Sequence, residues 1–122
     1  AHMDTMAFFD DVAHLPHWPG VPFGDEEGEI ITTAMGDKSA ILLAHHGQLC
    51  AGNTVESACV MGIFFEHAAR IQLAAMGAGE IQEVDPELGR LAHDWRHKPE
   101  AMNVTFRYFA RAVLEQPAHP LS

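Results

Sequence analysis

Nine of the 122 residues are histidine, and imidazole is the side chain that both ligates metals and moves protons near neutral pH. Two of them, His45 and His46, stand side by side in "AILLAHHGQLCAG", Ala40 to Gly52, at the end of one apolar run and directly ahead of Gly47. A tight turn at the end of a buried strand presents its side chains to a cleft, so the pair is a candidate corner of a metal site. A catalytic zinc-like ion takes about three protein ligands and leaves one position open. His46 can supply one of these, but sequence spacing brings no second His, Asp or Glu beside it.

The remaining candidates read more plainly. His93 and His97 lie four apart on a predicted helix and share a face, a spacing that suits two metal ligands. Asp94 stands where an "HExxH" pattern would carry its glutamate, and the pair reads as a solvated helical face. His14 and His17 flank "LP" as surface-loop residues, and His67 beside Glu66 reads as packed or exposed. His2 falls in "AHM", which looks like a cloning scar, and is set aside. Cys50 and Cys59 lie on an apolar strand and an apolar helix face and read as core. Asp25, Glu26, Glu27 and Glu29 read as the dipole-favoured start of a helix. The chain carries no "GxGxxG", "GxxxxGK" or "GxSxG" pattern, so nothing in it encodes a nucleotide cradle or a serine elbow.

The elements that would position these residues follow from periodicity. Pro16, Pro19 and Pro22 recur every third residue in the first 24, which favours an extended segment covering something else, with Phe8, Phe9, Trp18 and Phe23 short of partners. Asp25 caps a short helix that ends at Gly36. "SAILLA" is a buried strand, and after "HHG" the run "QLCAG" returns as the second strand of a hairpin. Asn53 with Glu56 makes a capping box for a long helix whose apolar face holds Val55, Ala58, Cys59, Gly62, Phe65 and Ala69, ending at Gly77 and Gly79. Asp85 and Pro86 start another helix. Pro99 begins the last, with Met102, Val104, Phe106, Phe109, Ala110, Val113 and Leu114 as its apolar set. A hairpin and about four helices leave a sheet too small for that much helix.

Composition bounds the partners. Seventeen acidic against seven basic residues give a net charge of −10, which repels phosphate backbones and anionic lipid; neither nucleic acid nor membrane is an expected partner. No transmembrane run and no secretory signal is present in the sequence, and two unpatterned cysteines suit a reducing compartment, so the expected location is cytoplasmic.

Several linked motifs between Gly24 and Ala75 resemble the C-terminal half of the class II aldolase/adducin domain. Glu27-Gly28 matches its "EG" helix, Gly36-Asp37-Lys38 its "GDK", and His45-His46-Gly47 its "NHG" turn. Gly52 to Ala58 and Glu66 to Gln72 match its "VG.TVEEA" and "ERAA..Q" helix. The resemblance implies an α/β fold, a three-layer α/β/α arrangement around a mostly antiparallel sheet, of which this chain holds a part. It divides the chain into a cloning scar (1–3), an extended Pro/aromatic segment (4–24), the domain's C-terminal half (25–116) and a frayed tail (117–122).

The resemblance also implies a divalent metal, most often zinc, held by three histidines: two from an "HxH" motif and one from the "NHG" turn. That third ligand carries over to His46, whereas His45 replaces the family's asparagine. The implied chemistry is Lewis-acid cleavage of a carbon–carbon bond in a small hydroxy-carbonyl substrate by a homo-oligomer, usually a tetramer. No "HxH" occurs here and the family's acid/base glutamate has no counterpart, so the chain is expected to be inactive alone, as a truncated piece, a proteolytic remnant or one half of a split protein. A non-enzymatic adducin-like scaffold or a self-association module is the alternative.

Overall fold

The computed structural model describes residues 2–17, 20–21 and 24–115. The expectations for Trp18, Pro19, Pro22, Phe23 and the 117–122 tail lie outside the described residues, as does Ala1. A 3-10 turn, Thr5–Phe8, leads into strand β1 (Val12–Leu15), helix α1 (Glu26–Met35) and the hairpin β2 (Ala40–Leu43) and β3 (Gly47–Cys50). Helices α2 (Val55–Ala78), α3 (Pro86–Arg96) and α4 (Pro99–Leu114) complete it.

The molecule is a mixed α/β fold. Its sheet has the order β1-β2-β3, with β1 parallel to β2 and β2 antiparallel to β3. The N-terminal segment is thus no simple cover: it supplies a strand, preceded by a helical turn that the prolines downstream do not prevent. Val12 pairs with Ala40 and Ala40 with Cys50. Alternation therefore turns these residues to one face, where they pack with Val60, Met61, Phe64, Phe65 and Met102 of α2 and α4. Ile41, fully buried, points to the other face, where α1 packs on β1. The sheet is the middle layer between α1 and the α2–α4 pair.

Local signals set most boundaries. Glu26, Glu27 and Glu29 fill the first turn of α1, and Gly36 ends it at φ 59°, a backbone that favours glycine. The Asp85 carboxylate accepts from the Glu87 and Leu88 N–H groups at 2.9 and 3.2 Å, ahead of Pro86. The long helix departs from expectation by one position: its capping box is Thr54 with Ser57, not Asn53 with Glu56. Its buried stripe is also rotated, to Val60, Met61, Phe64 and Phe65. Val55 is 80% exposed and Cys59 is exposed, so neither belongs to the core. From Ala58 to Phe65 the sequence is apolar almost all round. Periodicity alone then defines no unique inner face, and the neighbours choose it. On α4, Met102 is buried and Phe106 and Phe109 pack against the core, whereas Val104, Val113 and Leu114 are exposed.

Candidate functional site

The hairpin turn comes first, because it carries His45 and His46. Ala44 N–H donates to Leu15 O at 3.0 Å and His46 N–H to Leu43 O at 3.1 Å, which closes the corner at the C-terminal ends of β1 and β2. His45 takes φ 59° and Gly47 φ 152°. A non-glycine residue in the left-handed region is tolerated best when it is Asn, Asp or His. Both imidazoles are exposed. That of His46 lines a small hollow with His17, Glu27, Ile31 and Leu43. Among the described residues, His46 belongs to no group of three His, Cys, Asp or Glu donors whose ligand atoms converge. A catalytic ion needs about three protein ligands, so the described residues around His46 do not hold one by themselves.

A second constellation joins the His93/His97 pair to a carboxylate that sequence spacing did not place beside it. Asp11, immediately ahead of β1, is 9% exposed. Its Oδ1 accepts the Ser39 N–H at 2.8 Å. Its Oδ2 lies 3.0 Å from His93 Nε2 and 3.7 Å from His97 Nε2. His93 Nδ1 in turn lies 3.0 Å from Asp94 Oδ1, and His97 Nε2 donates to Ala7 O at 2.9 Å. The two rings, one helical turn apart on α3, stack with centroids 4.2 Å apart. His93 and His97 are therefore not a solvated face; they are the seam between α3 and the N-terminal segment. Asp4 pairs with Arg96 along the same seam, and the Phe9 ring lies against Gly89.

The electrostatics follow from this geometry. Both nitrogens of His93 face carboxylates, which favours a proton on each. Burial by itself lowers the His93 pKa, but the hydrogen bonds and charges of Asp11 and Asp94 outweigh it and hold the group above its ordinary 6.5. Burial raises the Asp11 carboxyl, and the His93 and Ser39 hydrogen bonds with the His93 charge outweigh that, leaving it below 3.8. Burial also pushes the Cys50 thiol up to about 11, which keeps it protonated near neutral pH.

The two constellations stand at opposite ends of the sheet. Asp11 and Ser39 precede the parallel strands β1 and β2, whereas the His46 turn follows them. Four residues of strand at about 3.3 Å each separate the ends by roughly 13 Å. A cleft of about 260 Å³, lined by Lys38, Gly52, Ser57, Met61, Met102 and His97 among others, opens beside the Asp11 end. In the sequence only the four-residue spacing of His93 and His97 hinted at this cluster. Its carboxylate is 82 residues away from His93.

Comparison with known proteins adds to this geometry. A family model described as "Class II Aldolase and Adducin N-terminal domain" matches residues 1–73. The chain is similar to the decarboxylase NovR of Streptomyces niveus, 28% identical over 88 residues that cover 72% of this chain and 33% of that protein. It is also similar to a 4-hydroxy-3-prenylphenylpyruvate oxygenase/4-hydroxy-3-prenylbenzoate synthase of Streptomyces roseochromogenus subsp. oscitans, 27% identical with 72% and 32% covered. Among solved structures, it is similar to an L-fuculose 1-phosphate aldolase from Glaciozyma antarctica PI12, with TM-score 0.77, 29% identity, and 93% of this chain on 42% of that one. An aldolase II superfamily protein from Pseudomonas syringae gives TM-score 0.76 and 25% identity, with 92% and 46% covered. The chain spans about a third of the length of the curated relatives it matches.

Proposed function

The chain belongs to the class II aldolase and adducin family, and on that premise we propose that it contributes to a divalent-metal-dependent carbon–carbon lyase in which His46 is one metal ligand. The supporting observation is the hairpin turn. Its backbone, fixed by the His46 N–H to Leu43 O bond and the positive φ of His45 and Gly47, holds the His46 imidazole out at the C-terminal end of the sheet. Among the described residues that imidazole has no hydrogen-bond partner, so its ring nitrogens are free to ligate. The ligands that complete the set are proposed to come from outside these 122 residues, and the chain alone is proposed to be inactive. A small hydroxy-carbonyl compound is the proposed substrate and zinc the proposed ion. No helix among the described residues is long and apolar enough to cross a membrane, and a cytoplasmic location is part of the same proposal.

Assembly belongs to the proposal too. Leu88, Leu91 and Trp95 are exposed on α3 and line an apolar hollow of about 640 Å³ with Met3, Met6 and Val84. Apolar surface of that kind supports a homo-oligomer, and equally the scaffold reading in which the fold serves self-association without chemistry. One experiment separates the two readings. In the complete gene product, His46→Ala should remove bound metal and lyase turnover together. Metal content unchanged by that substitution removes His46 from the site, and a complete product that binds no metal supports the scaffold.

A further inference from the structure

We propose that Asp11, His93 and His97 form a second binding site, for a divalent cation of the zinc class, which pins the N-terminal segment to α3 at the end of the sheet away from His46. One donor atom from each residue lies within 4.8 Å of the other two. Bonds of about 2.0–2.1 Å to a tetrahedral ion place neighbouring ligand atoms roughly 3.4 Å apart. The Asp11 Oδ2 separations of 3.0 and 3.7 Å from the two Nε2 atoms bracket that value, and the two rings, now stacked at 25°, turn their Nε2 lone pairs toward one point when the ion is seated. His97 Nε2 now donates to the Ala7 carbonyl at 2.9 Å, so seating the ion moves that proton to Nδ1 and turns the Nε2 lone pair from the carbonyl to the cation.

The surroundings suit a cation as well as the distances do. Asp94 sits on the far nitrogen of His93 at 3.0 Å. A carboxylate there fixes the ring with N–H on Nδ1 and the lone pair of Nε2 turned inward, the arrangement that supports a metal-bound imidazole. With that tautomer, Nε2 and the Asp11 carboxylate face each other as two acceptors, and only a cation or a proton reconciles them. Asp94 is thus a positioning residue for the site. The acidic chain, net charge −10, raises the local cation concentration. Two imidazoles and one carboxylate select a borderline ion over calcium or magnesium, which take oxygen ligands. The cleft lined by His97 gives the ion a way in.

The consequence is structural. Asp11 leads into β1 and both histidines lie on α3, so one ion would join two elements that are distant in sequence. The test uses this chain stripped with a chelator and titrated with Zn2+ and then Co2+, whose visible spectrum reports tetrahedral nitrogen and oxygen ligation. The variants are Asp11→Asn, His93→Gln, Asp94→Ala and His46→Ala. Asp11→Asn keeps an oxygen for the Ser39 N–H, and far-ultraviolet circular dichroism confirms that each variant is folded. The expected result is about one Co2+ per chain with tetrahedral bands, kept in His46→Ala, lost in Asp11→Asn and His93→Gln, and weakened about 10- to 100-fold in Asp94→Ala. A wild-type chain that takes up no Co2+ overturns the proposal. So does uptake that survives in folded Asp11→Asn and His93→Gln, or uptake that only His46→Ala abolishes.

Discussion

Replacing Asp11 by alanine removes both acceptors from the junction of β2, α3 and the N-terminal segment. Oδ2 holds a charged imidazole at 3.0 Å. A hydrogen bond of that kind contributes about 1.5–3 kcal/mol net, and the His93 side chain, still 21% exposed, places it at the low end of the range. Oδ1 holds the Ser39 N–H at 2.8 Å; a partly buried donor left unpaired costs about 1 kcal/mol more. Asp11→Ala should therefore destabilise the chain by about 2.5 kcal/mol. Asp11→Asn, which retains an oxygen for Ser39, should cost only about 1.5 kcal/mol by the same reckoning.

The pH dependence carries a sign for each group. His93 is held above 6.5, so its contribution is fully present below that value and fades as pH rises through its folded pKa. Asp11 is held below 3.8, so its contribution is present above that value and fades as pH falls through its folded pKa. The wild-type advantage over Asp11→Asn should thus peak between the two, near about pH 5.5, and shrink on either side. Urea unfolding in chelator at about pH 5.5 and about pH 8.5 measures it. An advantage equal at both values, or an alanine variant within about 0.5 kcal/mol of wild type, would refute the ion-pair reasoning.

Three further outcomes are expected. His45→Asn should stabilise the chain by about 0.5–1 kcal/mol in urea, because φ 59° suits asparagine better than histidine; a loss of stability would show that the His45 ring has a partner of its own. Gly89→Ala builds a Cβ 2.5 Å from two Phe9 ring atoms. Overpacking of about 1–3 kcal/mol should outweigh the roughly 1 kcal/mol helix-propensity gain, and the melting temperature should fall. With its thiol raised from 9.0 to about 11, Cys50 should react with iodoacetamide about tenfold more slowly than exposed Cys59, because the loss of thiolate outweighs the higher nucleophilicity of the thiolate that remains. Peptide mapping after partial labelling reads that ratio, and equal rates would count against burial of Cys50.

Much of this protein was decided locally, within a few residues. Asp85 with Pro86, Pro99, Gly36 and the "HHG" turn mark element ends because capping, the missing proline N–H and left-handed backbone are properties of short stretches. The linked motifs from Gly24 to Ala75 placed the chain in its family, and the order of helix, hairpin and three helices was legible for the same reason. Tertiary structure decided what depends on partners far away along the chain. It chose Val60, Met61, Phe64 and Phe65 as the inner face of α2, because a segment apolar on all sides has no face until its neighbours give it one. It also made Val12–Leu15 a strand by supplying β2 as a partner. And it turned His93 and His97 from solvent-facing residues into the seam of the fold, since their carboxylate lies 82 residues from His93, beyond the reach of any local pattern.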